Sequence, residues 1–140
     1  MLDYVACDIK APLRAEAYQR VAGLGDHTGY AEQVVANIRA TIAGCKRFGV
    51  PLEARTTVVP TLLDDEASIR EIASVAKECA IYVHQEFSPV EEVLDASLRN
   101  LRPTEKDLLI SLAEIALEEG VADVYIRTRR GGIERIPVNA

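Results

Sequence analysis

The chain has 140 residues, nearly half of them apolar, with a net charge of −6 and no tryptophan. That is one domain's worth of sequence, long enough for a real core, and no apolar run approaches the roughly 20 residues of a membrane span. The acidic balance argues against a general nucleic-acid binder, which needs an excess of Lys and Arg. The N-terminus lacks a basic region followed by an apolar core, so a secretory signal is not expected and a cytoplasmic location is the default.

Residues 2–10 (LDYVACDIK) predict a first strand, its run Tyr4-Val5-Ala6-Cys7 suiting a strand covered on both faces. Asp8 and Lys10 stand two residues apart at its C-terminal end and share a side. Pro12 ends the strand, and a short helix follows over 13–21, closed by Gly23 and Gly25. A longer helix is predicted from about Thr28 to Phe48, its stripe Val34, Val35, Ile38, Ile42 and Cys45 falling at three- and four-residue steps, with Gly49 as its C-terminal cap.

The stretch LEARTTVVP, Leu52 to Pro60, reads as a second strand rich in β-branched residues and stopped by proline. Asp64 is expected to cap the next helix, with Asp65 and Glu66 in its first turn and Ile69, Ile72, Ala73, Ala76 and Cys79 as its apolar stripe. A third strand is read over 80–87 and irregular or weakly helical chain over 88–102. Thr104 with Asp107 approximates a capping box opening a helix over 108–119, ended by Gly120. A fourth strand over 121–127 leads through Arg129-Arg130-Gly131-Gly132 into a short run over 133–138, the glycine pair suggesting a tight turn.

Strands alternating with helices imply right-handed parallel crossovers and an α/β fold: a single domain over 1–140 with about four parallel strands and a C-terminal hairpin. Four such strands make half of a βα-barrel or a small open sheet, and the half-barrel is the more informative reading. In sheets of this kind ligands sit beyond the carboxyl ends of the strands. Arg55, a permanent cation inside an apolar strand, therefore faces an anion or a water-filled cavity if buried; the alternative is an ion pair with Glu53 or an acid on a neighbouring strand. Asp8 and Lys10 are either an ordinary same-face pair or part of a site.

The three cysteines, Cys7, Cys45 and Cys79, are odd in number and far apart, and no two form a C-x-x-C pair, which disfavours a disulfide framework and a zinc site. Cys45 and Cys79 read as buried small hydrophobes. His84 reads as a surface or satisfied histidine rather than a ligand, as does His27. Arg127, Arg129, Arg130 and Arg135 read as a solvated hairpin, or as a binder of phosphate or an acidic partner, and Glu91, Glu92 and Asp95 as a solvated face.

Three phrases in order, DYVACDIKAP, EARTTVVPTLLDDE, and YVHQEF with VYIRTRRGGIERI, resemble the C-terminal half of radical S-adenosylmethionine activating enzymes. The similarity is to the activating proteins of anaerobic ribonucleoside-triphosphate reductase, with the pyruvate formate-lyase activating enzymes next. The resemblance implies a partial (β/α) barrel, S-adenosylmethionine as cofactor, and a glycyl-radical enzyme as partner. That family also carries a [4Fe-4S] cluster on a C-x-x-x-C-x-x-C loop, three thiolates holding three irons. The 140 residues contain no such loop, and Cys7, Cys45 and Cys79 cannot supply it.

Carried over residue by residue, Asp8 and Lys10 match a D-x-K pattern at a barrel-strand end, where they resemble groups contacting cofactor or substrate. Arg55 and Thr57 match strand positions that contact S-adenosylmethionine, and Gln85 a polar position touching its adenosine part. The implied function is that of an activase fragment with part of the cofactor site, catalytically inert alone. The alternative is a non-catalytic α/β binding or structural module that self-associates or completes another, cluster-bearing chain. An unpaired apolar edge on the first strand predicts a homodimer or higher oligomer, with no nucleic acid and no membrane.

Overall fold

The computed structural model describes residues 3–21, 28–89 and 101–138. Five strands form one sheet in the order β1 (Val5–Asp8), β2 (Leu52–Val58), β3 (Ile81–Glu86), β4 (Val124–Thr128) and β5 (Gly132–Arg135). The first four run parallel and β5 returns antiparallel beside β4. The described helices are α1 (Ala15–Val21), α2 (Thr28–Phe48), α3 (Glu66–Ala76) and α4 (Lys106–Glu118). No helix of the described residues is long and apolar enough to cross a membrane.

Parallel strands in sequential order, joined by crossovers of the usual right hand, put the helices on one face of the sheet, and the burial pattern agrees. Leu52, Ala54, Thr56 and Val58 of β2 are buried, while the alternate Glu53, Arg55 and Thr57 are half-buried. The buried set meets the stripes Ile69, Ile72, Ala73 and Ala76 of α3 and Leu109, Leu112, Ala113 and Ala116 of α4 in one apolar cluster, joined by Val35, Ile38 and Ile42 of α2. α3 and α4 are also tied by Arg70, whose guanidinium reaches Glu66, Glu118 and Glu119 at 2.7, 3.0 and 2.9 Å. On the opposite face Val83 is buried beside the half-buried Glu53, Arg55 and Thr57.

Buried hydroxyls lock the layers. The Thr56 hydroxyl donates to the Ile9 carbonyl at 2.7 Å and accepts from the Tyr82 hydroxyl at 2.7 Å, joining β2, β3 and the end of β1. Thr104 accepts from the Phe87 amide at 2.9 Å and donates to the Val58 carbonyl at 2.5 Å.

Several expectations need correction. β1 is short and lies at the sheet edge; its residues alternate between half-buried and exposed instead of being covered on both faces, because β2 is its sole neighbour among the described residues. Asp65, not Asp64, caps α3, its Oδ2 accepting from the Ser68 amide at 2.9 Å. Asp64 serves the preceding turn, accepting from the Thr61 amide at 3.1 Å where Thr61 has φ +68°. Thr104 is not a cap: its hydroxyl is consumed by the two strands, and Glu105 sits at the α4 N-cap without a side-chain cap bond. Gly49 and Gly120 end α2 and α4 with positive φ, as glycine permits. Gly23, Gly25, His27, Glu91, Glu92 and Asp95 lie outside the described residues.

Candidate functional site

In registered neighbouring strands, paired residues point to the same face. Asp8 aligns with Arg55, Val83, Tyr125 and Arg135 across β1 to β5, and Thr57 aligns with Gln85, Arg127 and Ile133 across β2 to β5. The residues singled out by sequence therefore fall on two adjacent rungs of the face turned away from the helices, toward the carboxyl ends of the parallel strands. Lys10, exposed just beyond β1, stands at the same end, its backbone amide held by the Tyr18 hydroxyl at 2.8 Å. The structure thus brings Asp8, Arg55, Thr57 and Gln85 onto one surface, with Lys10 at its rim.

The Arg55 ion pair is to Glu53, one of the two outcomes its sequence position allowed: Arg55 Nε donates to Glu53 Oε2 at 2.5 Å. The other carboxylate oxygen accepts from the Tyr4 hydroxyl at 2.7 Å. Burial pushes the Glu53 carboxyl up. The hydrogen bonds from Tyr4 and Arg55, with the Arg55 and Arg127 charges, outweigh it and hold the group below the usual carboxylate range. Partial burial and the Glu53 contact push Tyr4 up to about 12. Among the described residues the Arg55 Nη groups, Asp8, Thr57, Gln85 and Arg127 make no side-chain hydrogen bond. Among the described residues Asp8 makes no ion pair with Arg55 or Lys10.

Glu53, Tyr4 and Arg127 belong to this face and were not read as site residues. The signal for Glu53 was its spacing, since Glu53, Arg55 and Thr57 alternate along one strand. Arg127 was grouped with the hairpin arginines because its distance in sequence hid its register beside Gln85.

His84 is the residue most at odds with its reading. It is fully buried on the helix-facing side, edge-on to the Tyr82 ring at 4.6 Å, and neither ring nitrogen makes a well-formed hydrogen bond, the Leu109 backbone offering only a loose contact. The two-residue period of β3 puts it beside Tyr82 instead of Gln85.

The polar face offers a guanidinium and an ammonium that could hold a carboxylate, a carboxylate that could hold an ammonium, and a hydroxyl and an amide that can both donate and accept. It does not suit an iron-sulfur cluster. Cys7 and Cys45 are half-buried and Cys79 buried on the helix side, and among the described residues no group of three or more His, Cys, Asp or Glu could hold a metal ion.

These features define an α/β protein with a mostly parallel sheet whose face turned away from the helices carries, among the described residues, a cluster of polar side chains without hydrogen-bond partners. No family model matches the chain. It is 32% identical over 134 residues to a protein of Methanocaldococcus jannaschii described as a "putative glycyl-radical enzyme activating enzyme", across 96% of this chain and 52% of the relative. The chain thus spans about half the length of the curated relative it matches.

Proposed function

We propose that this chain is part of a radical S-adenosylmethionine activase of glycyl-radical enzymes and supplies the half-barrel face that holds the cofactor. The observation carrying this reading is the shared face of Asp8, Arg55, Thr57 and Gln85, with Lys10 at its rim, in a chain similar to a protein of that description. Arg55, steadied through Nε by Glu53, presents its Nη groups to the cofactor carboxylate. Asp8 receives the amino group, and Thr57 and Gln85 meet the ribose and base. When bound beside a reduced cluster, the cofactor supplies the radical. The cluster ligands come from outside these 140 residues, because the cysteines present do not fit one, and the chain alone does not cleave the cofactor. Titration of the purified chain with S-adenosylmethionine tests the reading. Saturable binding weakened about tenfold by Arg55→Gln, as for loss of a charge-assisted hydrogen bond, is expected. Absence of binding, or binding indifferent to Arg55, refutes it.

A second reading draws on the edge of β1, which has no second strand beside it among the described residues. Unpaired strand edges recruit other chains. Self-association, or completion of a separate cluster-bearing chain, would cover that edge. A monodisperse monomer in light scattering at low concentration would count against the self-associating form.

A further inference from the structure

At the carboxyl ends of β3 and β4, on the side where α4 begins, lies a cavity of about 740 Å³. Its polar lining is Glu86, Ser88, Lys106, Thr128, Arg129 and Arg130; with Glu134 paired to Lys106 at its edge, three cations stand against two carboxylates in a chain whose net charge is −6. Positive charge is concentrated here against the overall balance of the protein.

The lining is held in place by its own hydrogen bonds. The Arg129 amide donates to Glu86 Oε2 at 2.8 Å, and its guanidinium donates from Nη1 to the Ser88 hydroxyl at 3.1 Å. The Gly131 amide donates to Thr128 Oγ1 at 2.9 Å, a contact so close that a Cβ on Gly131 would lie 2.9 Å from that oxygen. Gly132, at φ +67°, completes the turn. The hairpin tip is thus pinned to β3, and the two arginines on it start from a fixed backbone. Lys106 is neutralised by Glu134 at 2.9 Å, whereas Arg130 has no ion-pair partner among the described residues. The Ser88 and Thr128 hydroxyls accept these bonds and keep their protons to donate.

We propose that this cavity binds the phosphate group of an organic phosphate, at a site separate from the polar sheet face. Two guanidinium groups and two hydroxyl donors around one space match an anion with three acceptor oxygens better than a carboxylate with two. The volume is far larger than one phosphate needs and falls in the range of small-molecule pockets, which leaves room for the organic body. The ends of parallel strands are where such sheets bind ligands.

Calorimetric titration of the full chain at low ionic strength with phenyl phosphate, and separately with inorganic phosphate, tests this. One saturable site for phenyl phosphate is expected, weakened about tenfold by Arg130→Gln and by Arg129→Gln and unchanged by Arg55→Gln. Both hairpin arginines are exposed, so these variants should keep the far-ultraviolet circular dichroism of the parent. No saturation at millimolar phenyl phosphate, or variants that bind like the parent, would overturn the site. Equal affinity for inorganic phosphate would overturn the organic ligand. Because Arg55 serves the other face, failure here and failure of the cofactor reading are separately visible.

Discussion

Arg55 and Glu53 stand two residues apart on one face of β2, and the guanidinium Nε donates to carboxylate Oε2 at 2.5 Å while Tyr4 holds the other oxygen at 2.7 Å. The carboxylate thus serves as a fixed anchor for a cation that would otherwise sweep the sheet face. Its anchoring is pH-dependent with a definite sign. Glu53 is held below its ordinary value in the folded chain, so its contribution is complete above the unfolded value of about 4.3 and disappears as pH falls through the folded value. Glu53→Gln should cost about 1 kcal/mol at pH 7 by urea unfolding. The gap between parent and variant should close as pH falls below that unfolded value and through the lower folded one. A gap that stays constant into acid would mean that the contact carries no charge energy.

Thr104 carries a larger share of stability than its place in a loop suggests. Its hydroxyl satisfies the Val58 carbonyl and the Phe87 amide at once, both at the ends of central strands. Thr104→Val keeps the shape and strands both groups in a buried site. With each orphaned group costing about 1–3 kcal/mol, a loss of about 3 kcal/mol is expected in equilibrium unfolding. A loss below about 1 kcal/mol would show that water replaces the hydroxyl.

Cys79 should be chemically silent. Burial, reinforced by the neighbouring Cys7 and Cys45 and by Glu78, pushes its thiol from 9.0 up to about 11, which leaves about a hundredfold less reactive thiolate at neutral pH. Timed iodoacetamide labelling read by peptide mass spectrometry should show Cys79 protected in buffer and labelled readily in urea. Equal rates in the two solvents would contradict the buried placement.

The elements that sequence made legible are those with a strong period. The stripe Ile69, Ile72, Ala73 and Ala76 is buried throughout, and α2 has the bounds its pattern implied. The alternating Arg55 and Thr57 landed on a common face with Asp8 and Gln85 because strand period and parallel register suffice to put them there. What was not legible depends on long-range competition. Two adjacent aspartates, Asp64 and Asp65, are equally good caps by composition, and the turn at Thr61 decided which one caps. Thr104 looked like a cap because local spacing cannot reveal that Val58 and Phe87 need its hydroxyl. The Glu53 anchor required knowing that Tyr4 and Arg127 arrive from other strands.

His84 offers the sharpest pH signature in the molecule. Burial, opposed by a loose hydrogen-bonding contact to the Leu109 backbone, lowers its pKa from 6.5 to about 4, so the ring is neutral in the folded chain at pH 7. The unfolded chain takes up a proton near pH 6.5 while the folded chain does not until near pH 4. Stability is therefore full above pH 6.5 and falls across the interval between those values, by about 3 kcal/mol in total. His84→Leu removes both the titration and two buried nitrogens that lack well-formed hydrogen bonds. The variant should be at least as stable as the parent at pH 7, by about 1 kcal/mol or more, and flat between pH 6.5 and 4 at this position. Urea unfolding of both proteins at pH 7.5, 5.5 and about 4.5 decides the matter, since the window is set by these two values. A variant less stable than the parent at pH 7.5 would mean that the imidazole has a bonding partner in solution and that its burial is not a simple cost.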